Sequence, residues 1–204
     1  MYLLHLLFEL SNSMKNSKKI VKFILFLIFA VFLKMTIHAQ EFKNLDKIPH
    51  DISYFRTSKV ATPLVKIIYG RPHRNGQKIF GNIVKYGEIW QTGANEATEI
   101  KFYQDIIFGN KKVPAGTYVL YSIPGETEWE IVLSANLDVW ESYQYDPIFD
   151  IVKISVPTAK AEELDVFSIA FKEKHKKLEM ILAWDTTRVK IPIYFTTKEE
   201  YVKL

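Results

Sequence analysis

The stretch Thr98–Ile123, TEIKFYQDIIFGNKKVPAGTYVLYSI, decides the fold class. Its first six residues alternate, with Thr98, Ile100 and Phe102 on one face and Glu99, Lys101 and Tyr103 on the other. That period of two is strand geometry, because successive side chains leave a strand on opposite sides. Ile106-Ile-Phe108 then meets Gly109-Asn110, two residues that tolerate positive φ and suit a tight hairpin. Pro114-Ala-Gly116 closes the next loop. Thr117–Ile123 is apolar on both faces, which predicts a central strand.

The same grammar extends in both directions. Leu64–Tyr69 runs into Gly70-Arg-Pro72 upstream, and downstream Pro124-Gly125 turns the chain into Glu128–Leu133. Four further runs follow: Val152–Val156, Val166–Phe171, Leu178–Trp184 and Val189–Phe195. Pro192 lies on the second face of the last run and predicts an edge strand, since proline has no N–H to give to a ladder. No amphipathic helix interrupts the series. The pattern predicts an all-β fold, an antiparallel β-sandwich that is jelly-roll-like or barrel-like, with about eight to ten strands over residues 59–197. Residues 40–58 read as a mixed polar lead-in, loosely attached, and 198–204 as a C-terminal tail.

With 204 residues, 48% hydrophobic and 14% aromatic, the chain has ample material for one core besides a leader. The formal charge of +4 is misleading. Residues 1–40 hold five of the 27 basic and one of the 23 acidic residues, leaving 22 of each in the rest. A neutral domain gives no electrostatic reason to expect nucleic acid as a partner. Lys172–Lys177 (KEKHKK) is the local exception, and reads first as a solvated hairpin turn.

The leader accounts for the excess charge. Met14–Lys22 is a cationic run, Phe23–Leu33 an eleven-residue apolar run, and Ala39 a small residue at an exit point. Together they predict a signal peptide region over 1–39, with translation starting at Met14 and cleavage near Ala39. The competing reading is an uncleaved anchor, against which the run is shorter than the ~20 residues a spanning helix needs. The expectation is a periplasmic or secreted protein with no stable membrane insertion after cleavage. There is no cysteine, so neither disulfides nor a thiol nucleophile are available.

Standard catalytic signatures are missing: no G-x-S-x-G elbow, no phosphate-binding loop, no dinucleotide glycine pattern and no H-E-x-x-H. His50, His73 and His175 stand far apart, so neither a metal nor a cofactor is expected. Three constellations remain. In Tyr69-Gly-Arg-Pro72, Arg71 offers a rigid donor fork for a carboxylate. In Glu88–Thr98 (EIWQTGANEAT), Trp90 closes a short strand, Gly93 is expected at positive φ, and Asn95 is expected to bridge its own backbone. Glu96 is then the free charge, and Arg71 its natural partner. In Trp140–Asp146 (WESYQYD), Trp140, Tyr143 and Tyr145 offer faces for stacking on sugar rings beside acceptor carboxylates. The candidate ligand-binding residues are therefore Arg71, Trp90, Asn95, Glu96, Trp140, Tyr143 and Tyr145. The same groups can instead form a buried Arg–Glu–Asn network and an aromatic cover for the sheet edge.

The order Tyr69-Gly-Arg-Pro72, Lys78-Ile-Phe-Gly81, Tyr86-Gly-Glu-Ile-Trp90, Thr92–Thr98, Val113-Pro-Ala-Gly-Thr-Tyr118 and Ile123-Pro124 with Trp129 resembles the bacterial domain of unknown function 2911 family. The resemblance runs from about Ser58 to Phe195. It implies an exported, mostly β protein of a Gram-negative bacterium, with no established activity. Some similar sequences carry an asparagine-synthetase label, which this chain does not support, having neither a cysteine nor a nucleotide-binding loop. It departs from the family pattern at Gln91, where an Arg is usual.

Three functions stay open on these residues. One is a module binding a small polar or carbohydrate-like ligand. Another is an envelope glycan hydrolase using Glu96, Glu141 or Asp146 as acid and base, which needs a pair at a set separation. The third is a structural or assembly protein of the envelope, in which Glu96 is buried and structural.

Overall fold

The computed structural model describes residues 3, 5, 17–29, 46–174 and 177–196. They fall in two units, Met1–Leu45 and Asp46–Leu204. In the first, residues 17–29 are helical. Among the described residues no helix is long and apolar enough to cross a membrane. The expected cleavage point near Ala39 and the 198–204 tail lie outside the described residues.

The second unit is all-β and antiparallel. Its strands are β1 (His50–Phe55), β2 (Val65–Gly70), β3 (Glu99–Phe102), β4 (Ile106–Phe108), β5 (Lys111–Val113), β6 (Gly116–Ile123), β7 (Glu128–Ser134), β8 (Asp150–Lys174) and β9 (Lys177–Phe195). They form one nine-stranded sheet in the order β1-β2-β3-β6-β7-β8-β9-β4-β5. The β4–β5 hairpin turns at Gly109, whose φ is 62°.

Two differences from the sequence reading have clear causes. The four downstream runs are two long strands. β8 pairs with β7 through Val156 and Pro157, then with β9 from Thr158 to Lys174, passing register shifts around Leu164. Bulges kink a strand without ending it, and the exposed middle of β8 is polar, so the sequence there looks like a loop. β9 is also no edge strand, because it lies between β8 and β4. Pro192 sits beyond the last β8 pair at Val189, and its carbonyl accepts from the Gly109 N–H at 2.8 Å.

The lead-in is structured from Asp46 onward. β1 falls inside it, pairing His50 with Gly70 through Phe55 with Val65. Asp46 accepts a hydrogen bond from the Asn95 amide at 2.8 Å, and Pro49 O from Arg71 N at 2.9 Å. The strands at the two ends of the order are β1 and β5. In β1 the outward residues Ile52 and Tyr54 are exposed.

Most strands bury one face in a single core. Residues far apart in strand order meet there: Phe55 of β1 stacks on Phe195 of β9 at 6.0 Å, and Tyr69 of β2 meets Phe167 of β8 edge-on at 5.6 Å. β6 differs, being buried on both faces as its sequence predicts. Tyr118 and Leu120 face the main core. Val119 and Tyr121 join Ala97, Val132 and Val139 in a second, smaller cluster, against which Ile89 and Tyr145 pack. The loops carrying Ile89, Ala97, Val139 and Tyr145 therefore roof the outer face of β6 and β7. This roof shapes the site.

Candidate functional site

The loop at 90–98 is held from within. Trp90 exchanges backbone hydrogen bonds with Ser122 at 2.8 and 2.9 Å, and its indole N–H donates to Gly93 O at 2.9 Å. Thr92 is fully buried, with its hydroxyl 2.8 Å from that of Ser122, while Thr98 Oγ1 donates to Thr92 O at 2.7 Å. The left-handed positions are Thr92 (φ 58°) and Asn95 (φ 64°), not Gly93. Gly93 has another duty, since a Cβ there would lie 2.9 Å from Gly70 O. Lacking a side chain, it lets two backbones touch.

The loop at 138–141 is laid beside this one. Glu96 and Trp140 form an antiparallel bridge, with Ala97 N donating to Val139 O and Glu141 N to Asn95 O, both at 3.1 Å. Asp138 (φ 56°) and Glu141 (φ 57°) flank the bridge in left-handed conformations. Of the six described non-glycine residues at positive φ, three flank this bridge, Asn95, Asp138 and Glu141. Backbone held in sparsely populated regions persists only where its surroundings impose it, and such strain gathers at functional sites.

Where the roof meets the open outer face of β1–β3 there is a hollow of about 530 Å³, lined by His50, Ile68, Glu96, Glu99, Asp138 and Trp140 among others. Alternation explains who is present. His50, Ile68 and Glu99 are outward positions of three neighbouring strands, brought into line by the pairings His50 with Gly70 and Ile68 with Glu99. His50 Nε2 lies 2.9 Å from Glu96 Oε2. Trp140 is 42% exposed. The lining thus combines three carboxylates, one imidazole and an accessible indole, an arrangement that accepts hydrogen bonds and offers an apolar face.

The expected Arg71–Glu96 pair does not form. Asp51 and Tyr69 belong to the inward series of β1 and β2, and Arg71 pairs with Asp51 at 3.2 Å at that end of the sheet. Tyr69 also donates to Asp51 at 3.3 Å. Glu96 is on the outer face with His50, its side chain 56% exposed, so the buried Arg–Glu–Asn network is absent. Asn95 does not bridge its own backbone but reaches Asp46. Trp90 is core. Tyr143 is 71% exposed and outside the hollow's lining. Tyr145 is committed to the second cluster, crossing Tyr121 edge-on at 5.0 Å and donating to Asp150 at 2.7 Å.

Of the seven candidates, only Glu96 and Trp140 line the hollow. His50, Glu99 and Asp138 were missed, being single polar residues on three separate segments. Only the outward phase of Glu99 in its alternating strand gave a clue. Asp146, one of the three carboxylates nominated as acid and base, caps the short 3-10 turn Pro147–Phe149, accepting from Ile148 N at 3.0 Å. Gln91 borders a smaller hollow of about 320 Å³ beside Trp90, Gly93 and Trp184. Among the described residues, no three His, Asp or Glu side chains are grouped to hold a metal ion.

A family model described as "Protein of unknown function (DUF2911)" matches residues 53–193. The chain belongs to this family. No curated protein and no solved structure matches it. The DUF2911 match begins inside β1 and ends inside β9, so it contains every hollow residue named above except His50.

The second cluster of this DUF2911 domain carries a pH signature. Tyr121 is fully buried and its hydroxyl has no partner among the described residues. Burial, and then the Asp150 charge, push its pKa up to about 12. Burial and the hydrogen bond to Asp150 raise Tyr145 as well. An unfolded tyrosine ionises near pH 10. Below that the stabilisation is intact; above it the unfolded chain loses protons the folded chain keeps, so stability falls as pH climbs through about 12. Urea midpoints should therefore drop between about pH 9 and about pH 11. Tyr121→Phe should make that drop smaller, the part due to Tyr145 remaining, while leaving the midpoint near pH 7 unchanged or higher, since it removes an unpaired buried hydroxyl. An equally steep drop in the variant would mean that Tyr121 is not the source.

Proposed function

We propose that this chain is an exported DUF2911 protein, periplasmic or secreted, whose domain binds a small polyhydroxylated, carbohydrate-like ligand in the His50–Glu96–Trp140 hollow. The observation that carries the reading is Trp140: an accessible indole in the same concavity as three carboxylates. An indole face takes the C–H face of a sugar ring, and carboxylates accept its hydroxyl protons in charge-assisted hydrogen bonds. The left-handed backbone at Glu141 supports it, because a glutamate rarely adopts that conformation and the fold tolerates the cost where it positions Trp140 beside Glu96. Export rests on the leader, with its cationic run, short apolar run and small-residue exit.

Hydrolysis has less support. Of the carboxylates nominated as acid and base, Glu96 alone lines the hollow, and Asp146 is occupied as a cap. A structural role for Glu96 also has less support, since exposed ion pairs are worth only about 0–1 kcal/mol.

The test is a panel of neutral and acidic saccharides titrated against the full chain and followed by NMR shifts. Glu96→Gln should keep stability within about 1 kcal/mol of wild type. Trp140→Ala should weaken the responding saccharide by about tenfold or more. Silence across the panel, or an unchanged affinity in Trp140→Ala, would overturn the proposal.

A further inference from the structure

A second hollow has the opposite character. It measures about 590 Å³, and Lys111, Lys153, Lys177 and Lys190 all line it, with Glu179 as its one acid. These lysines come from β5, β8 and both ends of β9, so no single stretch of sequence announces the group. Only Lys177 belongs to the charge run that reads as a solvated turn.

Two of the four charges are matched. Lys177 lies 2.9 Å from Glu179, and Lys153 lies 3.3 Å from Glu130. Lys111 and Lys190 have no ion-pair partner among the described residues. The positive fields overlap at one point: Lys177 holds the Glu179 carboxyl below its usual range, with Lys174 and Lys190 adding to the effect. In a domain whose charges balance overall, such a concentration within a concavity focuses a field on whatever enters it.

The chemistry of the lining narrows the ligand. Every cation is a lysine. A guanidinium fork sets a planar, two-bond geometry on a carboxylate or a phosphate alike, whereas ammonium groups act as rotatable point charges that can meet phosphate oxygens from several directions. Several ammonium groups spread around one hollow suit several phosphates better than one. Part of the wall is apolar, from Ile154 and Pro192, which favours an ester with an organic body.

We propose that this hollow binds a multiply phosphorylated ligand, either a soluble phosphate ester or the headgroup of a lipid. It shares no lining residue with the Trp140 hollow and stands independently of the saccharide reading.

The probe is tripolyphosphate, titrated calorimetrically against the full chain. Binding is expected at about 50 mM NaCl, and should weaken clearly by about 300 mM as the charges are screened. The double variant Lys111→Gln/Lys190→Gln should bind about tenfold more weakly. Its melting temperature should be unchanged, because neither lysine has a partner to lose. Glu96→Gln and Trp140→Ala should bind tripolyphosphate like wild type. Failure to bind, equal binding by the double variant, or an equal loss in the Trp140 variant would each overturn the proposal. A second arm uses vesicles containing a phosphatidylinositol bisphosphate. Sedimentation that tripolyphosphate competes away and the double variant abolishes identifies a lipid phosphate. Tripolyphosphate binding without sedimentation identifies a soluble ester.

Discussion

Gly70→Ala is expected to destabilise the domain by about 3 kcal/mol or more. A Cβ at Gly70 would lie 1.9 Å from Ala94 O and 2.8 and 2.9 Å from the carbonyl carbon and nitrogen of Ala94. All three are backbone atoms, so no side chain can rotate out of the way. Relief would require moving the end of β2 or the loop that Trp90 and Thr92 hold from within. The close approach is reciprocal, since a Cβ at Gly93 would lie 2.9 Å from Gly70 O. The glycines of Tyr69-Gly-Arg-Pro72 and Thr92-Gly-Ala-Asn95 are thus two sides of one contact. Urea denaturation should rank three variants, with Gly70→Ala the worst, Gly93→Ala intermediate and Gly76→Ala the mildest. Gly76 has a φ of 75° but nothing within 4 Å of an added Cβ, so its cost is conformational, about 1 kcal/mol. Should Gly70→Ala prove no worse than Gly76→Ala, the two backbones do not touch as described.

Much of the fold is legible in the sequence because buried strands alternate or run apolar. The runs at 64–69, 98–103, 106–108, 117–123 and 128–133 all appear as β2, β3, β4, β6 and β7, and Gly109-Asn110 forms the expected hairpin turn. β1 escapes notice because an edge strand half exposed to solvent carries His50, Asp51 and Ser53 and shows little hydrophobic signal. The middle of β8 escapes for the same reason. There the exposed run Lys160–Glu163 looks like a loop, although the chain stays extended through it.

The site was less legible, and for a different reason. Sequence motifs group residues that are neighbours in the chain, whereas the hollow groups residues that share a face across strands. Arg71 and Glu96 belong to adjacent motifs, yet the sheet places their partners, Asp51 and His50, in opposite phases of one strand. That assignment depends on the β1–β2 register, and a slip of one residue would exchange the two faces. Glu96 and Trp140 were found because each lies in a conspicuous loop. His50 and Asp138 were not, because nothing local distinguishes them, and the outward phase of Glu99 says only which face it takes.

Trp90→Ala should cost about 3–5 kcal/mol, the range for truncating a large buried aromatic. The indole lies within 5.1 to 6.0 Å, centroid to centroid, of Phe167, Phe80, Trp129 and Trp184, and is stacked on Trp184 at 20°. Removing it leaves a cavity among rings that are themselves buried, which the backbone pairing with Ser122 prevents from collapsing. Trp90→Phe separates packing from the hydrogen bond. Much of the ring volume is kept, but the indole N–H to Gly93 O is lost, at about 1–2 kcal/mol. That bond also ties the core to the loop carrying Glu96, so the phenylalanine variant should bind the saccharide more weakly while remaining folded. Urea midpoints and near-ultraviolet circular dichroism report the first effect, and the saccharide titration the second. A phenylalanine variant with full affinity would show that the loop does not depend on this tether, and that Trp90 serves the core alone.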